Sequence, residues 1–249
     1  MDFLLHFGPS HYNDLFRCEK PFFEGLGDAS EFVRKYTESY EKSERRGLIC
    51  IPSGNHDMDR LARHISGEKR KLAFAFLLSM PGAPYIYYGD EIGMRYVEGL
   101  TSVEGGYGRT GSRSPMQWDD SVNAGFSSAP ADKLYIPIDP SADRPTAKAQ
   151  TGDEGSLRSE VKKLIGIRQG HPALQSLGEI EFVSDGAPGK PLAYIRTLGE
   201  EKILIVINPT GNDYIAECAE GEVIYSFGSY ELKAGTLTVN AGSAVFVKL

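Results

Sequence analysis

The sequence predicts an α/β chain in two unequal parts: β/α units on a parallel sheet, followed by a small antiparallel β-sandwich. Three observations carry this reading. Apolar runs at Phe3–Phe7, Leu48–Ile51 and Tyr85–Tyr88 are continuous rather than alternating, and helical stretches separate them, as in right-handed β/α connections with strands covered on both faces. From about Asp90 to Gly155 neither the helical nor the strand period persists, and Gly, Ser, Pro, Asp and Arg dominate. After about Ser176 the period shifts to two, in short β-rich runs separated by Gly, Pro, Asn or Asp.

Each element has its own justification. Phe3–Phe7 ends at Gly8-Pro9 and reads as a buried strand. Asp28-Ala-Ser-Glu31 is an acidic variant of the capping box; it opens a helix with Phe32, Val33, Tyr36 and Tyr40 on one face, and Gly47 stops it. Leu48–Ile51 is the second strand and runs into Ser53-Gly54-Asn55-His56-Asp57. A helical stretch from about Asp59 to Met80, interrupted at Ser66-Gly67, ends at Pro81-Gly82 before the third strand, Tyr85–Tyr88. Within the long segment, Tyr107, Trp118, Phe126 and Tyr135 predict an ordered loop. Leu157, Val161, Leu164, Ile165 and Ile167 mark a last helix before Gly170-His171-Pro172. Seven strands follow, at Glu179–Ser184, Leu192–Thr197, Ile203–Asn208, Asp213–Cys218, Glu222–Phe227, Thr236–Asn240 and Ala244–Lys248. The division falls at residues 1–175 and 176–249, with the loop at about 90–155 inside the first part. Three parallel strands are too few for a closed barrel, which takes about 250 residues by itself.

Composition narrows the class. With 249 residues, 41% apolar and 24% charged, the chain is that of an ordinary globular protein. Its 27 basic and 34 acidic residues give a formal charge of -7, which argues against nucleic acid or an anionic membrane as partner. Cys18, Cys50 and Cys218 are far apart, without metal-type spacing, and read as reduced thiols. No run reaches the roughly 18 apolar residues of a membrane span. The opening residues show no basic segment or cleavage site of a secretory leader; for a fragment the true N-terminus lies elsewhere, so the location is unknown, with the cytoplasm favoured.

The chemistry concentrates at Asn55-His56-Asp57, at the C-terminal end of the second strand, which is the catalytic end of a parallel β/α barrel. A His beside an Asp can bond adjacent sugar hydroxyls while the carboxylate opposes developing positive charge. The run Ser53–Asp57 resembles the fourth signature region of the α-amylase family. Pro81-Gly82-Ala-Pro84-Tyr-Ile-Tyr-Tyr88-Gly89-Asp-Glu91-Ile-Gly93-Met94 resembles its eighth barrel strand and following turn. Ser112-Arg113-Ser114-Pro115-Met116-Gln117-Trp118-Asp119-Asp120, with Asn123-Ala-Gly125-Phe126, is similar to a signature of the subgroup holding oligo-1,6-glucosidases, α-glucosidases, sucrose isomerases and trehalose synthases. Ser114 stands where that subgroup usually has Thr. The resemblance is clear over residues 1–175 and positional over 176–249. It implies a partial (β/α)8 TIM barrel, about strands six to eight, followed by the usual β domain.

The resemblance also implies a retaining mechanism: an Asp nucleophile, a Glu general acid, and a third carboxylate that grips the sugar and stabilises the transition state. Asp57 matches the third carboxylate, and His56 matches the histidine on the same sugar, with Asn55 beside them. Asp2 follows a Met as a nucleophile would, yet only 55 residues separate it from Asp57, too few for two further strands and two helices; it reads as non-catalytic. Glu24 has no strand ahead of it and reads as loop. Both missing carboxylates are therefore expected upstream. Arg113 matches the arginine that closes the glucose pocket, and Asp59 is expected to border a subsite. Tyr88 and Glu91 read as barrel-shaping, and His64 and His171 as surface or capping residues. No metal or cofactor is expected.

These readings describe the C-terminal portion of a retaining α-glycoside hydrolase or transglycosidase acting on an α-glucoside or α-glucan. Its partner would be the missing N-terminal barrel half, with self-association expected when that half is absent. A trehalose-synthase-type isomerase is the nearest alternative. A non-catalytic interaction protein, resembling the amylase-like heavy chains of amino-acid transporters, is another, as is a sugar-binding module acting through Tyr194, Tyr214, Tyr225 and Tyr230.

Overall fold

A computed structural model describes residues 3–5, 10–43, 47–101, 108–218 and 221–249. Asp2, His6 to Pro9 and Tyr107 lie outside the described residues.

Strand β1 (Phe3–Leu5) lies parallel to β2 (Leu48–Cys50), pairing Phe3 with Leu48 and Leu5 with Cys50. Helices α1 (Tyr12–Phe16) and α2 (Ser30–Lys42) connect them. Asp28 Oδ1 accepts the Ser30 N–H at 2.8 Å, but the capping box expected at Asp28–Glu31 is corrected: Ala29 is the N-cap, and it makes no side-chain cap bond. Glu31 pairs forward with Arg34 at 2.7 Å.

The expected third strand, Tyr85–Tyr88, is corrected to a single parallel bridge between Pro52 and Tyr85. The chemistry explains it. Pro84 offers no N–H, the Tyr87 N–H goes to Ser53 Oγ at 2.9 Å, and the Tyr88 carbonyl accepts from the Arg60 guanidinium. Side chains take the bonds that a ladder would use. The helical stretch expected over Asp59 to Met80 divides, as its Ser66-Gly67 break suggests, into a 3₁₀ turn at Leu61–Arg63 and α3 (Lys69–Ser79).

Helix α3 is the hub of the molecule. Leu72 to Leu78 are all buried, so apolar groups surround it on every side. Pro81-Gly82 then turns the chain so closely past β2 that a Cβ on Gly82 would stand 1.8 Å from the Ile49 carbonyl oxygen. Its φ of 84° also belongs to glycine.

Helix α4 (Leu157–Gly170) leads into two antiparallel sheets. The larger runs β3-β4-β5-β10-β7: β3 (Glu179–Asp185), β4 (Leu192–Leu198), β5 (Glu201–Asn208), β7 (Glu222–Phe227) and β10 (Ser243–Lys248). The smaller is β6 (Tyr214–Glu217), β9 (Thr236–Val239) and β8 (Tyr230–Lys233), in that order. Ala193, Val206 and Val245 face Leu237 and Val239 in a cluster shared by both sheets. On the other face of the larger sheet, Tyr194, Ile205 and Phe246 join Phe76 and the helices in one continuous core.

Two buried arginines lock this joint. Arg168 of α4 donates from Nη1 to the carbonyls of Leu78 at 2.8 Å and Met80 at 2.7 Å, and from Nη2 to that of Gly82 at 2.8 Å. Arg196 of β4 donates to the Ser79 carbonyl, and to those of Gln175 at 2.7 Å and Gly178 and Glu179 at 3.1 Å. Together they satisfy carbonyls that the end of α3 leaves open. Burial lowers the pKa of each to about 10, so both stay cationic at neutral pH.

Candidate active site

The site forms where β2 ends. Asn55 Oδ1 accepts the Asp57 N–H at 2.8 Å, a local turn that fixes the loop carrying His56 and Asp57. Beneath it, Arg17 donates from Nε to the Asp59 carbonyl at 2.6 Å and from Nη1 to Tyr12 Oη at 3.0 Å, and it also bonds the Ser53 carbonyl. Ser53 Oγ donates to the buried carboxylate of Asp90 at 2.7 Å. Gly54 has no room for a side chain, because a Cβ would meet Arg17 Nη2 at 2.9 Å and Asp90 Oδ2 at 3.1 Å.

A second layer packs against this floor. Arg60 is fully buried, with Tyr87 and Tyr88 ring centroids 4.6 and 4.7 Å from its guanidinium and Asp90 Oδ1 at 3.6 Å. Burial pushes the Asp90 carboxyl up, against the downward pull of Arg60 and Arg17. Burial likewise raises Glu91.

Arg113 comes from the long segment. Tyr87 Oη donates to the Ser112 carbonyl at 3.2 Å and Tyr88 Oη to that of Ser114 at 2.8 Å, pinning the 3₁₀ turn Thr110–Arg113 against the strand end. Downstream, Asn123 and Ala124 adopt left-handed backbone with φ of 53° and 55°. Asn123 holds that shape by donating to the Ser127 and Ala129 carbonyls at 2.9 and 2.7 Å. The turn places Trp118 and Phe126, both half exposed, on a cleft of about 440 Å³ beside Arg113, with Tyr88, Glu91 and Tyr135 also lining it.

Three of the five expected site residues share one cluster with Asp57 at its centre. Arg113 Nη2 lies 2.9 Å from Asp57 Oδ1, and His56 Nε2 lies 3.3 Å from Asp57 Oδ2. Asn55 acts through the backbone of Asp57. Asp59 is oriented differently, its carboxylate meeting Arg63 at 3.0 Å and His64 at 3.1 Å. Glu24 is bound by Ser66 and Lys69. His171 meets Glu201 at 2.9 Å. Of the tyrosines considered as sugar platforms, Tyr194 and Tyr225 are buried.

Sequence reasoning missed Arg17, Arg60, Asp90 and Arg109. Arg109 Nη1 stands 2.5 Å from Asp57 Oδ1, beside Arg113. The available signal was weak: Arg60, three residues past Asp57, falls in the stretch read as helical, and Arg109, four before Arg113, falls in the long loop. Among the described residues, no three His, Cys, Asp or Glu side chains converge as a metal centre requires.

A carboxylate, an imidazole and guanidinium groups are thus gathered at the C-terminal end of a parallel strand. Residues 25–176 match the alpha-amylase catalytic domain family, and the chain belongs to that family. It is 30% identical over 213 residues to an oligo-1,6-glucosidase of Parageobacillus thermoglucosidasius, covering 72% of this chain and 37% of that protein. It is 37% identical over 145 residues to a trehalose synthase/amylase of Mycobacterium tuberculosis, covering 55% of this chain and 22% of that protein. A solved structure of a trehalulose synthase MutB mutant in complex with Tris superposes with a TM-score of 0.77 at 22% identity, covering 98% of this chain and 51% of that one. The fold is therefore the alpha-amylase-family fold, and the chain spans less than half the length of these two curated relatives.

Proposed function

We propose that this chain supplies strands six to eight and the C-terminal β domain of a retaining α-glucosidase or transglucosidase, divided at about residue 175. Asp57 is its transition-state-stabilising carboxylate. His56 and Arg113 hold the same glucosyl unit, and the nucleophile and general acid come from a barrel half outside this chain. The observation that carries the reading is the convergence of Arg113 and His56 on Asp57 at the end of β2. Electrostatic groups fixed in advance around one sugar are what an oxocarbenium-like transition state needs.

The isolated 249-residue chain should not turn over maltose, isomaltose or a nitrophenyl α-glucoside, because one carboxylate cannot replace covalent and acid–base catalysis. Supplying the upstream half should restore turnover, and Asp57→Asn should abolish it again. Turnover by the pure chain that depends on Asp57 would refute this assignment.

Isomerisation is a second reading, supported by the similarity to trehalose synthases and to trehalulose synthase MutB. Product analysis separates the two. Hydrolysis converts maltose to free glucose, whereas isomerisation yields a rearranged disaccharide.

A further inference from the structure

Asp57 carries two guanidinium groups on one oxygen. Arg109 and Arg113 stand at the two ends of one 3₁₀ turn, which is closed by the Ser112 N–H and Oγ donating to the Arg109 carbonyl at 3.1 and 2.7 Å. Both side chains reach Asp57 Oδ1, at 2.5 and 2.9 Å.

The two are not equivalent. The Arg113 side chain is 20% exposed, and its Nε is also spent on the His56 carbonyl at 2.8 Å. The Arg109 side chain is 39% exposed, and Asp57 itself is 46% exposed. An ion pair so open to water is weak and salt-screened. A sugar hydroxyl donating to Asp57 Oδ1 must compete with whichever guanidinium is easier to move.

We propose that Arg109 is a displaceable counter-ion of Asp57. It orients the carboxylate in the empty site and gives up Oδ1 to a hydroxyl of the incoming glucosyl unit, while Arg113 stays in place. This rests on the reading of Asp57 as the sugar-gripping carboxylate. Arg109 then sets the apparent affinity: a ligand that takes Oδ1 must first displace it, so binding of small glucosides strengthens with salt.

The test uses the active enzyme that contains this chain, with maltose as probe. Arg109→Gln should lower KM by about two- to fivefold, the range of an exposed ion pair, and by more than any fall in kcat. Raising salt from about 50 mM to about 500 mM should lower KM in the parent and leave Arg109→Gln nearly unmoved, a difference that a purely structural arginine would not produce. An unchanged or higher KM in Arg109→Gln, with Asp57→Asn inactive, overturns the displacement alone. An Asp57→Asn enzyme of normal rate removes the Asp57 assignment as well. The same enzyme gives an independent reading: in a nitrogen-15 spectrum, the Arg109 Nη–H groups should exchange with water faster in Asp57→Asn than in the parent. Equal exchange rates would overturn the proposal without any turnover measurement.

Discussion

Arg113 bridges two consecutive residues, donating from Nε to the His56 carbonyl at 2.8 Å and from Nη2 to the Asp57 carboxylate at 2.9 Å. One planar group thereby fixes both the backbone and the side chain of the site loop, through a rigid fork of donors that an ammonium lacks.

In the active enzyme, Arg113→Ala should therefore lower kcat/KM for maltose by about 10- to 100-fold, the worth of one charge-assisted hydrogen bond. Arg113→Lys should recover little of this. Maltopentaose, with contacts further along the chain, should lose less. Equal losses for both substrates would contradict a role in closing the glucose pocket.

Asp57→Ala should act on kcat more than on KM. Two charge-assisted bonds to sugar hydroxyls, about 1.5–3 kcal/mol each, correspond to about 10²–10⁴ in rate. Steady-state kinetics with maltose decide the matter, and a change below about fivefold would exclude Asp57 as the stabilising carboxylate.

Alone, the chain should self-associate. The β1–β2 pair is a two-stranded parallel sheet, and β1 pairs with no other strand among the described residues. Open parallel edges recruit further strands. Light scattering over a concentration series should show growing mass, suppressed by the complementary barrel half. A strict monomer that binds no hydrophobic dye would mean these edges are closed within the chain.

A pH dependence follows from Glu201. Burial alone would push its carboxyl up. The Ala173 N–H at 2.8 Å and His171 at 2.9 Å outweigh that, with Lys248 at 3.5 Å, and hold it below the ordinary glutamate range. On acidification the unfolded chain takes up this proton first. The stabilisation is thus complete above about pH 4.3 and is lost as pH falls through the lower folded value. Thermal melts should show Tm falling below about pH 4.3, less steeply in Glu201→Gln; parallel curves would assign the acid sensitivity elsewhere.

What was legible in the sequence follows from the kind of force at work. Apolar periodicity gave α4 and most of the C-terminal strands to within a residue or two, because burial writes a repeating pattern. It missed β8, Tyr230–Lys233, which is mostly exposed and has no buried face to repeat. It overstated Tyr85–Tyr88, where apolar composition mimics a strand but side chains claim the backbone bonds. The cluster of Asn55, His56 and Asp57 was visible because its residues are adjacent. Arg109 and Arg60 depend on tertiary folding and left no local mark. Arg168 and Arg196 did leave one, as charged residues at positions that continue the buried series Val161-Leu164 and Leu192-Tyr194.

Those two arginines have a consequence for how such a chain can be rearranged. The sequence changes character near residue 175, which invites treating the sheets as a cassette to be cut off or exchanged. Yet the carbonyls at the end of α3 are finished by a side chain from α4 on one flank and by one from β4 on the other. Any graft made at the visible seam would strip Arg196 from the helix that leads to Tyr87 and Tyr88. The architectural border and the mechanical border do not coincide, and a transplant that respects the molecule must carry α3, α4 and β4 as one piece.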